Sequence, residues 1–197
     1  SAALRGSEES RDGMGSINFD NGAAFQSAEV ARRDASQGAV GVYRGAFVQL
    51  FEQLGKHPAS RFRVRLNGHG CLFKVDMVGE AGIDQGGLFR DVFSRSVEDA
   101  FAPHFALFTA TPNARRGTGA SLDKALPHPV AVASPAGLAL FEFLGRILGA
   151  TLRHRLYQPF DMASLVWKQL AGETLRRGDL SSVDLRVATQ LDAVAGA

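Results

Sequence analysis

The side chains best suited to covalent chemistry in this chain are its lone cysteine, Cys71, and His69 two residues earlier. An imidazole beside a thiol can hold a reactive thiolate. The pair makes a weak nucleophile and base, however. His69 falls in a predicted turn, Cys71 opens an apolar strand, and the sequence places no orienting acid beside them. The pattern favours a buried, inert thiol. His57, His104, His128 and His154 are scattered without metal-ligand spacing, and neither HExxH nor GxSxG occurs. One cysteine allows no intrachain disulfide and no cysteine-based zinc cluster. No catalytic residue, metal site or cofactor is expected.

The most unusual string is Gly79-Glu80-Ala81-Gly82-Ile83-Asp84-Gln85-Gly86-Gly87, between a predicted strand and a predicted helix. A glycine-rich turn at a helix N-terminus can cradle an anion. No Lys-Ser or Lys-Thr follows it, the spacing of a dinucleotide fingerprint is absent, and two carboxylates oppose an anion. A structural role accounts for every residue type better. Asp84 is placed to accept backbone N–H bonds near the helix start, the glycines permit a tight strand-to-helix reversal, and Glu80 can pair with Arg90. The basic cluster Arg153-His154-Arg155 is read as complementing a helix C-terminus, with a docking surface for an acidic partner as the alternative.

The elements that must position these residues follow from periodicity. Apolar residues fall on one helical face over Val40–Leu54, Leu88–Phe101 and Leu138–Leu152. In the last of these, Gly145 and Gly149 leave a narrow strip where another backbone can approach. Met162–Leu170 is a shorter helix, and Ser181 or Asp184 caps a helix bearing Val187, Leu191 and Val194. Alternation over Arg61–Leu66 and Cys71–Val78 around Asn67-Gly68-His69-Gly70 predicts a hairpin. Phe105–Pro135, with Pro112, Pro127, Pro129 and Pro135, is expected to be mostly exposed loop. Residues 1–38 read as a polar, disordered tail or linker, and 39–197 as the folded domain. The fold class is α+β, mainly helical, with a small antiparallel β element.

The chain has 197 residues, 22 basic against 20 acidic, and a net charge of +2. Bulk charge therefore indicates no nucleic-acid partner. Apolar residues make up 45%, enough for one core. No signal-peptide pattern or run of 18 apolar residues suggests secretion or a membrane span. Cysteine usage points to a reducing intracellular setting, read as cytoplasmic. The first residue is Ser1, which fits a piece of something longer, although an arbitrary boundary would look the same.

Several blocks in order carry a family resemblance. Val78 to Phe93 resembles the G-E-x-x-x-D-x-G-G signature of the HECT-type E3 ubiquitin ligases. Leu107 to Asn113 resembles the segment before that family's variable loop, and Phe141 to Gly149 its F-x-x-G-x-x-x-G helix. Val166 to Leu170, with Asp179 to Asp184, is similar in particular to the large members carrying RCC1-type repeats. The resemblance runs from about Ala46 to Leu191 and implies the first part of a HECT N-lobe, its large subdomain.

In that family the N-lobe receives an E2-ubiquitin conjugate, and a mobile C-lobe carries the cysteine that accepts ubiquitin before a substrate lysine does. The C-lobe is not in this chain and Cys71 does not match that cysteine, so the chain alone is expected to be inactive. Gly79, Glu80, Asp84, Gly86, Gly87 and Arg90 carry over as scaffold of the turn, and Gly145 and Gly149 as helix-packing positions. Asp91 stands where the family more often has Glu. The partners implied are E2-ubiquitin and ubiquitin, through the whole protein. The rival is a non-catalytic interaction module derived from a HECT N-lobe.

Overall fold

Phenylalanine dominates the interior. Phe19, Phe47, Phe73, Phe89, Phe93 and Phe143 are all fully buried, and each needs a surrounding wall that one small element cannot supply. The computed structural model describes residues 14–33, 43–64, 70–79 and 87–196. In chain order these hold β1 (Ser16–Phe19), α1 (Asn21–Arg33), α2 (Ala46–Leu54), a 3-10 turn (Ala59–Arg63), β2 (Lys74–Met77), α3 (Gly87–Phe101) and a second 3-10 turn (Pro103–Phe105). Then come β3 (Phe108–Ala110), α4 (Pro112–Arg116), β4 (Ala125–Pro127), α5 (Pro129–Val132), α6 (Pro135–His154), α7 (Ser164–Leu170), α8 (Arg177–Val183) and α9 (Leu185–Ala195). The class is α+β and mainly helical, as the periodicity implies.

The three strongest apolar periodicities became the helices that enclose the core. On α3 the buried stripe is Phe89, Val92, Phe93, Val97 and Ala100, the 3.6-residue pattern of one packed face. α2 lies against α3, and α6 lies against the first 3-10 turn. By length and composition α6 could cross a membrane, with a mean hydropathy of 1.3. Its apolar face is instead spent on the core, where Leu140, Phe143, Leu144 and Ile147 are buried. Val40–Val42, the predicted start of the first helix, lies outside the described residues.

Residues 14–33 correct the expectation of a tail. Ser-Ile-Asn-Phe is a strand whose Ile17 and Phe19 are buried, with Met14 and Ala24 beside them. β1 pairs in parallel with β2, Ser16 opposite Lys74 and Phe19 opposite Met77. Its backbone on another side is met by side-chain amides from α2. Gln53 accepts from Asn18 N at 2.8 Å and donates to Asn18 O at 2.8 Å. Gln49, one helical turn earlier, accepts from Asp20 N at 2.8 Å and donates to Asp20 O at 2.9 Å. Two glutamines at i and i+4 thus serve Asn18 in the strand and Asp20 just past its end, because one helical turn spans nearly the rise of two extended residues.

The predicted hairpin is also corrected. Arg61–Arg63 belongs to a 3-10 turn, in which only Phe62 is buried, so alternation there reflects one inward residue rather than a strand face. Asn67, Gly68 and His69 lie outside the described residues. The antiparallel pair is instead β3 with β4, Phe108 opposite Pro127, inside the segment expected to be loop. The prolines misled that expectation. Pro112, Pro129 and Pro135 each stand at the first turn of a helix, where proline's fixed φ is favourable and its missing N–H costs nothing. Thr111 and Ser134 complete two of these starts, accepting from Ala114 N and Gly137 N at 3.0 Å.

Two glycines of α6 should respond oppositely to a methyl group. A Cβ at Gly137 would overlap the Ala131 carbonyl of the preceding turn, so Gly137→Ala is expected to cost about 1 to 3 kcal/mol. Gly149 has no described atom within 4 Å of that position, so Gly149→Ala should stabilise the chain by about 0.5 to 1 kcal/mol. Thermal melts of the two variants test the pair, and a destabilised Gly149→Ala would mean that another segment packs on that strip.

Candidate functional site

The glycine string is bounded rather than described. Gly79 turns out of β2 at φ +80°, in the region where a side chain is strained. Gly87 opens α3, exposed, with open space around its Cβ position among the described residues. Arg90 is exposed on the first turn of α3. Glu80, Asp84 and Gly86 lie outside the described residues, as do the Asp84 cap and the Glu80–Arg90 pair. Gly145 and Gly149 are exposed on α6, with no described atom within 4 Å of either Cβ position. The helix packing expected of them is not made by the described residues.

Cys71 is 1% exposed, a position that keeps a thiol from solvent. Sequence reading passed over a second nucleophile spacing, Ser121-x-x-Lys124. Lys124 is held 2.6 Å from Asp123 and 3.0 Å from Asp161. These bonds, the one to Asp123 foremost, raise its pKa, the opposite of what a lysine base needs. Among the described residues no three His, Cys, Asp or Glu side chains gather as a metal site.

Two polar clusters that the sequence did not advertise hold the fold together. In the first, Asp99 reaches from α3 to the start of α2. Its Oδ2 accepts from Phe47 N at 3.0 Å, capping that helix from a distant element. Its Oδ1 accepts from the Tyr43 hydroxyl, which lies 2.8 Å from His104 Nε2. With the hydroxyl proton given to Asp99, Nε2 must be the donor to the hydroxyl oxygen. Gly45 makes the approach possible, since a Cβ there would overlap both the carboxylate and the Tyr43 ring. A glycine just before an apolar run was the one sequence sign of this cluster.

In the second, the buried Asn113 of α4 joins the C-terminal helices. Its Nδ2 donates to Ser181 O at 3.1 Å and Ala120 O at 3.2 Å, and its Oδ1 accepts from Leu185 N at 2.8 Å. Asp179 accepts from Lys168 Nζ at 2.6 Å and Arg176 N at 2.7 Å. The Lys168 bond leads the causes that hold its carboxyl below the usual range. Asp184, not Ser181, caps α9 through Val187 N at 3.1 Å, and it pairs with Arg116 at 2.8 Å. The Val187 bond leads in lowering its pKa. The basic cluster behaves partly as expected. Arg155 closes α6 in the left-handed conformation, and Arg153 Nε donates to Arg63 O at 3.0 Å.

These arrangements orient helices; they do not assemble a nucleophile, a base and an oxyanion site. The class of protein so defined is a mainly helical α+β domain whose helices are set against one another by buried rings and polar joints. The family model described as HECT-domain (ubiquitin-transferase) matches residues 94–196, and the chain belongs to this family. The match begins inside α3, so the glycine string lies upstream of it.

The chain is 37% identical over 113 residues to E3 ubiquitin-protein ligase HERC2 of Mus musculus, covering 57% of this chain and 2% of that protein. It is 38% identical over 113 residues to HERC2 of Homo sapiens, with the same coverage of 57% and 2%. To E3 ubiquitin-protein ligase TOM1 of Saccharomyces cerevisiae it is 27% identical over 113 residues, 56% of this chain and 3% of that protein. The chain thus spans a few hundredths of the length of these relatives.

Asn113→Ala should remove about 1 to 3 kcal/mol, since Leu185 N and the two carbonyls lose a buried partner. Limited proteolysis should then cut first within 177–196, and an unchanged digestion pattern would show that Asn113 does not secure these helices. Asp99 makes a pH prediction. Burial leads in raising its pKa above 3.8, against the lowering effects of Tyr43, Phe47 N, His104 and Arg95. A raised folded pKa contributes stability that is complete below the unfolded value and lost as pH rises through the folded one. The difference in Tm between the native chain and Asp99→Asn should therefore shift toward the native chain as pH falls from neutral toward 3.8; a constant difference would contradict this.

Proposed function

We propose that the chain is a piece of a HECT-type E3 ubiquitin-protein ligase, the first part of the N-lobe, and that it serves as scaffold without supplying the catalytic cysteine. The observation that carries this is the family match across 94–196, over helices fixed to one another by Asn113, Asp179 and Asp184. Identity to two HERC2 ligases supports placing the whole protein with the RCC1-repeat members. In this reading the whole protein takes ubiquitin from an E2 conjugate onto a cysteine elsewhere and then passes it to a substrate lysine, in an intracellular, cytoplasmic setting. The turn residues Gly79, Glu80, Asp84, Gly86, Gly87 and Arg90 keep a structural role, setting the exit from β2 and the entry to α3.

Burial of Cys71 agrees with a chain that forms no thioester itself. Incubation with E1, E2, ATP and ubiquitin should yield no reducible adduct on either the native chain or Cys71→Ser. An adduct lost in Cys71→Ser would overturn the scaffold reading. Sequencing the transcript past Ala197 separates the ligase from a docking module: a following lobe with a cysteine supports the ligase, and a stop codon supports the module.

A further inference from the structure

The groove between the first 3-10 turn and α6 carries charge that the described fold does not use. It encloses about 420 Å³, floored by Gly145, Gly149 and Ala150 and rimmed by Arg63 and Arg153. At one end Arg146 is spent internally: it pairs with Glu142 at 2.5 Å and donates to Gly55 O and His57 O at 2.7 and 2.8 Å. Its buried Nε still has no acceptor. The rim arginines differ. Arg153 uses only its Nε, on the Arg63 carbonyl, and neither rim guanidinium is ion-paired among the described residues. Arg155, two residues beyond Arg153 at the end of α6, is exposed and has no acidic partner among the described residues either.

Guanidinium is weakly hydrated and shaped to receive a carboxylate through two parallel N–H bonds. Each helix-interior glycine is also less favourable in α6 than alanine, and nothing described approaches Gly145 or Gly149 closely enough to require it. A floor that no described atom covers, between two guanidinium groups with no acidic partner among the described residues, suits a backbone bearing carboxylates.

We propose that this groove binds an acidic peptide segment, its carboxylates on Arg63 and Arg153 and its backbone over Gly145 and Gly149. Nucleic acid fits less well. The chain's net charge is only +2, and the one ring lining the groove, Phe62, is buried rather than offered for stacking.

Fluorescence polarisation with a labelled peptide of alternating Gly and Glu, at physiological ionic strength, tests this with the purified chain. The Glu peptide should bind about tenfold more tightly than its Gln counterpart. The double variant R63E/R153E should lose that margin. Gly149→Leu, which fills the groove without changing charge, should lose it too, whereas Arg186→Glu on exposed α9 should not. The proposal is overturned if the Glu peptide does not bind, if Gly149→Leu binds it as the native chain does, or if a single-stranded oligonucleotide binds as tightly and is equally sensitive to R63E/R153E.

Discussion

Phe143 is the side chain on which the rest of the structure depends. Its ring centre lies 5.5 Å from both Phe47 and Phe51 and 6.0 Å from Phe62, so α2, the first 3-10 turn and α6 meet on one ring. Large aromatic faces remove more apolar surface from water than any aliphatic contact of the same length. α3 packs along α2 beside that junction, and across this contact Asp99 reaches the α2 N-terminus. The polar cap is therefore a consequence of aromatic packing, and it adds direction to an attraction that has none.

The C-terminal helices are held by different physics. α8 and α9 bury little beyond Val183 and Ala188, while Leu185, Val187, Leu191 and Val194 remain exposed. Their attachment rests on Asn113, on the Lys168–Asp179 pair and on Arg177, which bonds Asp192 at 2.6 Å. Such contacts fix geometry at modest net gain. The region matching the HECT family thus joins a rigid aromatic body to a polar-jointed end.

Legibility tracked how far apart the interacting residues lie. α3 and α6 could be read because every signal sits within one helix: Phe89, Val92, Phe93 and Val97 recur at helical spacing without reference to anything else. β1 could not, because four residues in a polar stretch become a strand only when Lys74–Met77 and two glutamines of α2 supply its hydrogen bonds. The prolines of 112–135 were visible but ambiguous, since the same residue ends one helix and begins another. Cys71 is buried as its apolar neighbours in sequence suggest, whereas the Tyr43–Asp99–His104 chain joins residues 56 and 61 positions apart and leaves no local pattern.

The sequence alone determined the helical class, the identity of the three packing helices and, through its ordered blocks, the family. These depend on periodicity and residue type, which are local. Tertiary structure decided the rest: that residues 14–33 belong to the fold, that β1 runs parallel to β2, that Asp99 caps a helix it is not part of, and that no described atom packs on Gly145 or Gly149. Each follows from which surfaces come together when the phenylalanines leave water, and a hydrophobic driving force that carries no direction writes no pairing into a linear chain.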